Sequence, residues 1–403
     1  MMKITERERL KMTRIKKEKS VREPLFHIVK RDRMPWWKGL VVRVAAVLGA
    51  LALCMLISYV FVGVTPDRLV KAFFQGNFGS EMYIWWLGKE LSILLCIALA
   101  LTPAFLMRFW NIGAEGQTII GALVAVFCAY ELGGKIPEPL LLLIMFLASV
   151  AAGALWGFIP ALFKAGWTSN ETLFTRMMNY IALQLVRCML AVWDPTQSNP
   201  APSAYGKLNL IPSWSFGDEL TVILIAVALT VGMYVYLRYS KHGYEISVVG
   251  ESENTARYIG INVKKVTLRT MIISGALCGL VGFLIIAVFD HRVSPNTVGG
   301  QGFTAIMVSW LAKFNPIIMV GTSFLIAFLN RGANQLVTNL SNTRLESFLN
   351  KGASNGDVVK GISSDFPSVI VGIILFAIVG CEFFINYRVK FRKRNKTKGG
   401  RMR

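Results

Sequence analysis

Ten apolar stretches recur along this chain, all but one of them close to the length a bilayer requires, and that repetition leaves few folds open to it. They are Val41–Val64, Tyr83–Phe105, Ile112–Tyr130, Leu140–Leu162, Leu173–Val192, Leu220–Tyr239, Leu268–Phe289, Phe303–Leu311, Ile317–Val337 and Val369–Ile385. A helix needs about twenty apolar residues to cross the hydrocarbon layer. Lipid offers no partner to a bare N–H or C=O, so spans of this kind fold as helices that satisfy their own backbone. Phe303–Leu311 is too short and is expected to be broken or re-entrant. The expected fold is all-α: a polytopic membrane bundle of about ten transmembrane helices. It would occupy residues 41–388, between a basic N-terminal extension (1–40) and a basic tail (389–403). The extension is long and Val41 opens a full-length span, so a retained anchor is expected rather than a cleaved leader.

Charge gives the orientation. The formal net charge is +21, which in a soluble protein would suggest nucleic-acid binding. Here thirteen Lys/Arg lie between Lys3 and Lys38 and nine between Arg388 and Arg403, both runs abutting apolar segments. Cationic flanks resist translocation and favour the anionic inner leaflet. Membrane lipids, not nucleic acid, are the expected partner. An even number of spans puts both termini in the cytoplasm, together with the loop holding Arg238, Lys241, Arg257, Lys264, Lys265 and Arg269.

Catalytic and metal chemistry has no pattern here. The three Gly-Lys pairs, at Gly88, Gly134 and Gly206, are followed by Glu, Ile and Leu, so no phosphate-cradling loop forms. No catalytic residue, cofactor or metal is expected, and ATP, if used, would be hydrolysed elsewhere. The six cysteines fall inside apolar runs without C-x-x-C spacing and read as small buried hydrophobes. Gly153-x-x-x-Gly157 and Gly275-x-x-x-Gly279 read as close helix-packing faces.

Polar interruptions are the informative part. Asn111, Gly113, Glu115, Gly116 and Gln117 stand where a continuous helix should run. Unwound backbone at membrane depth survives only where protein or a water-filled cavity satisfies it, and a carboxylate there must be paired or solvated. Two readings stay open. Glu115 and Gln117 form a structural clasp with Arg108 or free backbone amides, or the break lines the substrate path. A weak echo, Gly300, Gln301, Gly302 and Phe303, opens the short eighth span. Broken elements at matching places in two inverted-repeat-like halves point to a central path.

The polar stretch Tyr244–Val263 is a connecting loop or a docking element. Ser252–Asn254 can cap a short helix through Tyr258, and Gly260 can stop it.

Four blocks carry a family likeness. NIGAEGQ at Asn111–Gln117 resembles a signature of ABC importer permeases for nucleosides and simple sugars, related to ribose and branched-chain amino acid permeases. NETLFTRMMNYIA at Asn170–Ala182 and GQGFTAIMVSWLAKFNP at Gly300–Pro316 resemble further segments of that group. GESENTARYIGI at Gly250–Ile261 resembles its coupling segment, which implies ATPase contact through Glu253, Asn254, Thr255, Ala256, Arg257, Tyr258, Gly260 and Ile261. The resemblance also implies a second permease subunit (a paralogue), a cytoplasmic ATPase, an extracytoplasmic substrate-binding lipoprotein, and the cell membrane of a prokaryote. The bulk of Arg108-Phe109-Trp110 and the long polar loop after Val337 depart from the pattern. An ion-coupled secondary transporter using Glu115, a branched-chain amino acid permease of the same superfamily and a membrane scaffold remain alternatives.

Overall fold

The computed structural model describes residues 26–30, 35–62, 66–167, 169–193, 218–350 and 366–391. In order these form β1 (Phe26–Lys30), α1 (Trp36–Val62), α2 (Pro66–Phe78), α3 (Glu81–Leu106), α4 (Ala114–Leu132), α5 (Glu138–Trp167) and α6 (Glu171–Trp193). There follow α7 (Asp218–Tyr239), α8 (Lys241–Glu251), α9 (Glu253–Tyr258), α10 (Val263–Leu284), a π-helical turn (Ile285–Asp290), α11 (Gln301–Leu311), α12 (Pro316–Asn350), α13 (Phe366–Asn386) and β2 (Tyr387–Phe391).

Contacts divide the chain into two units, residues 1–56 with 373–403, and residues 57–372. In the first, β1 and β2 pair antiparallel from Phe26↔Phe391 to Lys30↔Tyr387. This short ladder is an addition to a chain whose other elements are all helical, as the all-α expectation had it. FHIVK and YRVKF are rich in β-branched and aromatic residues, the types that suit an extended backbone. Most of the N-terminal extension and basic tail lies outside the described residues.

The second unit is a helical bundle whose centre is α4, α5 and α10. The two glycine pairs meet each other. A Cβ on Gly153 would lie 2.7 Å from Gly279 Cα, and one on Gly157 would lie 2.7 Å from the Met271 carbonyl oxygen. Gly279 also abuts α4, where a Cβ on Gly121 would lie 2.6 Å from its Cα. Backbone meets backbone across both faces, so helices with no hydrophobic drive between them gain dispersion contact instead. Outward-facing Leu143, Leu147, Leu224, Val227 and Val231 are exposed, as lipid-facing positions would be.

Six helices among the described residues are long and apolar enough to cross a membrane: Glu81–Leu106, Ala114–Leu132, Glu138–Trp167, Leu220–Tyr239, Val263–Asp290 and Pro316–Asn339. The expected count of ten is not confirmed among the described residues. α11 has 11 residues, as its short apolar run implied. α6 has the length, at 23 residues, but is too polar. α1 and α13 contribute the shorter apolar stretches Leu48–Ile57 and Val369–Cys381.

Three stretches outside the expected spans are helical. Pro66–Phe78 packs on α12, with Asn77 Nδ2 donating to the Phe328 carbonyl at 3.0 Å. Lys241–Glu251 is capped by Ser240, which accepts from Gly243 N–H. α12 runs on to Asn350, through the start of the expected polar loop. In each, polar composition argued against a membrane span but not against a helix.

Candidate functional site

The polar break between α3 and α4 is a tight turn. α3 ends with Arg108 in the left-handed region (φ 61°); Arg108 N–H donates to Phe105 O and Phe109 N–H to Ala104 O, each at 2.9 Å. This is the two-bond helix stop that glycine usually makes, and a non-glycine residue there costs about 1–2 kcal/mol. Burial of Phe109 offsets that cost. The end of α11 repeats the device at Lys313 (φ 52°), with Phe314 N–H donating to Ser309 O. The bulky Arg108-Phe109-Trp110 sequence is thereby accounted for: a stop, a buried anchor, and a half-exposed ring lying 5.0 Å from the Trp310 ring.

Past that turn, the five candidate residues converge. Asn111 Oδ1 accepts from Gly113 N–H at 3.0 Å and from Gln117 Nε2 at 3.3 Å. Asn111 Nδ2 donates to Gln117 Oε1 at 3.3 Å and to Ser274 Oγ on α10 at 3.2 Å. Gly116 N–H donates to Asn179 Oδ1 at 2.9 Å, and Asn179 Nδ2 returns a bond to the Ile112 carbonyl at 2.9 Å. Thr175 Oγ1 accepts from Ile112 N–H at 3.3 Å. Of the N–H groups that open α4, that of Gly116 is thus satisfied by an α6 side chain in place of water, and the N–H of Ile112 just before the helix by another. Glycine is required at 116, since a Cβ would lie 2.7 Å from Asn179 Oδ1.

Glu115 joins this turn to the echo motif. Its Oε1 accepts from Gly300 N–H at 2.9 Å and its Oε2 from Gly302 N–H at 2.7 Å. Those amides open α11, so the carboxylate sits at the positive end of a helix. The fit is close: a Cβ on Gly302 would lie 2.6 Å from Glu115 N. Of the two clasps the sequence allowed, backbone amides make it and Arg108 does not. Gln301 is half-buried and Phe303 is exposed.

Sequence reasoning missed Thr175, Asn179 and Ser274 as members of this network. Thr175 and Asn179 lie four apart on α6, the spacing that puts two side chains on one helix face. That polar pair inside an apolar run was the available signal.

The second candidate element, α9, forms as expected. Ser252 accepts from Thr255 N–H at its start, and Gly260 (φ 85°) ends it. Ala256 is 0% exposed and belongs to one buried cluster with Met107, Phe109, Ala161, Val249 and Met271. Tyr258 is 91% exposed, and Glu253, Asn254, Thr255, Arg257 and Gly260 are also open, with Ile261 half-buried. Residues implied to contact a partner therefore split: Ala256 faces inward and the rest of α9 outward. A cavity of about 360 Å³ lies beside it, lined by Arg108, Lys164, Ser252, Arg257 and Lys264 among others.

Comparison with known proteins identifies the family. The family model described as "Branched-chain amino acid transport system / permease component" matches residues 89–379. The chain is 26% identical to the glucose ABC transporter permease protein TsgB13 of Haloferax volcanii, over 89% of this chain and 92% of that one. It is 27% identical to the guanosine ABC transporter permease protein NupP of Bacillus subtilis, over 87% and 94%. It is 28% identical to NupQ, a second guanosine permease protein of that organism, over 54% and 71%. The clasped helix break at Asn111–Gln117 and the short α9 packed beneath it both lie within the matched residues, and the chain belongs to the family of permease components of branched-chain amino acid transport systems.

Proposed function

We propose that this chain is the membrane-spanning permease subunit of an ATP-driven importer that carries nucleosides or related simple sugars. One observation carries the mechanism. α9 is anchored through Ala256 in the same buried cluster as Met107 and Phe109 of the α3–α4 turn. That turn continues directly into the Asn111–Gln117 network, and Glu115 links the network to the start of α11. A displacement of α9 by an ATPase would reach both broken helices through close-packed contacts, which transmit shifts with little give. Asn111, Gly113, Glu115, Gly116, Gln117, Gly300, Gln301, Gly302 and Phe303 then border the substrate path as its moving joint. The outward residues of α9 form the ATPase contact.

The ATPase, a second permease and an extracytoplasmic binding lipoprotein complete the transporter, and alignment with both NupP and NupQ supports a paralogous pair. The β1–β2 ladder, which pairs Phe26–Lys30 with Tyr387–Phe391, supports placing these two segments on one face, and the basic runs beside them favour the cytoplasmic one. About ten membrane-crossing or re-entrant helices fit the family resemblance, with α6 and α11 crossing inside the assembly. An ion-coupled mechanism through Glu115 is disfavoured by the two backbone donors its oxygens already hold.

The test is reconstitution with the cognate ATPase, second permease and binding protein. Guanosine or glucose uptake should require ATP and survive a protonophore. Uptake that collapses with the protonophore and persists without ATP would overturn the reading.

A further inference from the structure

α6 presents three faces, and one of them does not suit lipid. Thr175, Met178, Asn179, Ala182 and Val186 are buried. Met177, Ile181 and Leu185 form an exposed apolar face. Arg176, Tyr180, Gln184 and Arg187, all exposed, fall within an arc of about 80° at 100° per residue. Among the described residues no hydrogen bond or ion pair engages either guanidinium.

This polar stripe lies at membrane depth. Ile112 bonds Thr175, Gly116 bonds Asn179, and the Tyr130 ring lies 5.5 Å from that of Trp193. The separation is 63 residues in each case, so α6 runs parallel to α4 along its length. α4 is a candidate membrane span, and by the same offset the stripe lies beside its residues 113–124. Two cations and an amide at that level belong against water or a polar ligand, not hydrocarbon.

We infer that the stripe Arg176–Tyr180–Gln184–Arg187 lines the water-filled substrate path and binds the base of a nucleoside, a planar ring rich in carbonyl and ring-nitrogen acceptors. The inference rests on the permease reading and names its substrate class. A guanidinium donates a planar fork of N–H groups that matches paired acceptors on a purine edge. The Tyr180 ring, 53% exposed, offers a stacking surface. The stripe holds no carboxylate, the acceptor that a hydroxyl-rich hexose would call for.

The experiment places Gln184→Cys in a Cys188→Ser background, because Cys188 is the exposed cysteine among the described residues. The full chain, in membrane vesicles with its assembled partners, is labelled with a membrane-impermeant maleimide. We expect labelling, slowing of labelling by guanosine but not by glucose, and a rise of about tenfold in the half-protecting guanosine concentration when Arg176→Gln and Arg187→Gln are added. Absence of labelling, whether from lipid burial or from contact with the second permease, overturns the inference. So does labelling that guanosine leaves unchanged, or that glucose slows equally. Tyr180→Cys repeats the measurement should Gln184→Cys fail to reach the membrane. Failure of the permease reading is seen separately, as absence of ATP-dependent guanosine uptake by the unsubstituted chain.

Discussion

Glu115→Gln isolates the clasp. The side chain keeps its size, but one oxygen becomes an NH2 group facing a backbone donor now 2.9 or 2.7 Å away. One buried N–H loses its acceptor, at about 1–3 kcal/mol. The negative charge at the start of α11 is also lost, worth about 0.3–1 kcal/mol. Relief of the buried carboxylate's desolvation acts in the opposite direction. The net loss is therefore about 2 kcal/mol, a fall of a few degrees in Tm for a chain this long. Thermal unfolding of the purified protein in detergent, followed by tryptophan fluorescence, reads the shift, and ATP-dependent uptake of the reconstituted variant should fall alongside it. An unchanged Tm combined with lost uptake would refute the reasoning, because it would make Glu115 a titrating group in transport and not a joint.

Asn179→Ala removes the partner of both Gly116 N–H and the Ile112 carbonyl, and should lower stability by about 2–4 kcal/mol, read as a Tm shift. Ala256→Arg forces a cation into a fully buried site and should destabilise the protein outright, with poor recovery from membranes. Tyr258→Ala, on the open face of α9, should leave Tm unchanged and lower uptake; unchanged uptake would remove α9 from the coupling role. His242, bonded to the Tyr236 hydroxyl, is held below the ordinary histidine value of 6.5 chiefly by burial, with Glu245 pulling upward and Arg269 pushing down. A depressed histidine keeps its stabilising contribution above 6.5 and loses it as pH falls, so Tm should drop on acidification from about 6.5, and by less in His242→Gln.

Much of the bundle was legible because apolar length is a property of sequence. The boundaries of α3, α5, α7 and α13 lie within a few residues of the apolar runs, since hydrocarbon accepts only self-satisfied backbone. The caps of α9 were legible too, because Ser252 and Gly260 act through local geometry. The helices Pro66–Phe78 and Lys241–Glu251 were not. Local signals existed, Pro66 and Asp67 in the first turn of one and the Ser240 cap of the other, but reading by apolar length passed over them because both stretches are too polar to span a membrane. The Asn77 bond to Phe328 then fixes the first helix in place.

The site divides along the same line. Asn111–Gln117 and Gly300–Phe303 stood out as polar, glycine-rich breaks, and the paired glycines Gly153/Gly157 and Gly275/Gly279 as packing faces. The sequence by itself determined that this chain is a bundle of apolar helices with two costly interruptions. Only the tertiary structure decided what satisfies them, because the partners lie 63 residues away on α6 and 185 residues away at Gly300. It also turned Ala256 inward beneath α9 and set Arg176 and Arg187 on an open face beside α4. Which way a side chain points, and whether a buried donor finds its acceptor, is fixed by the packing of helices and not by their composition.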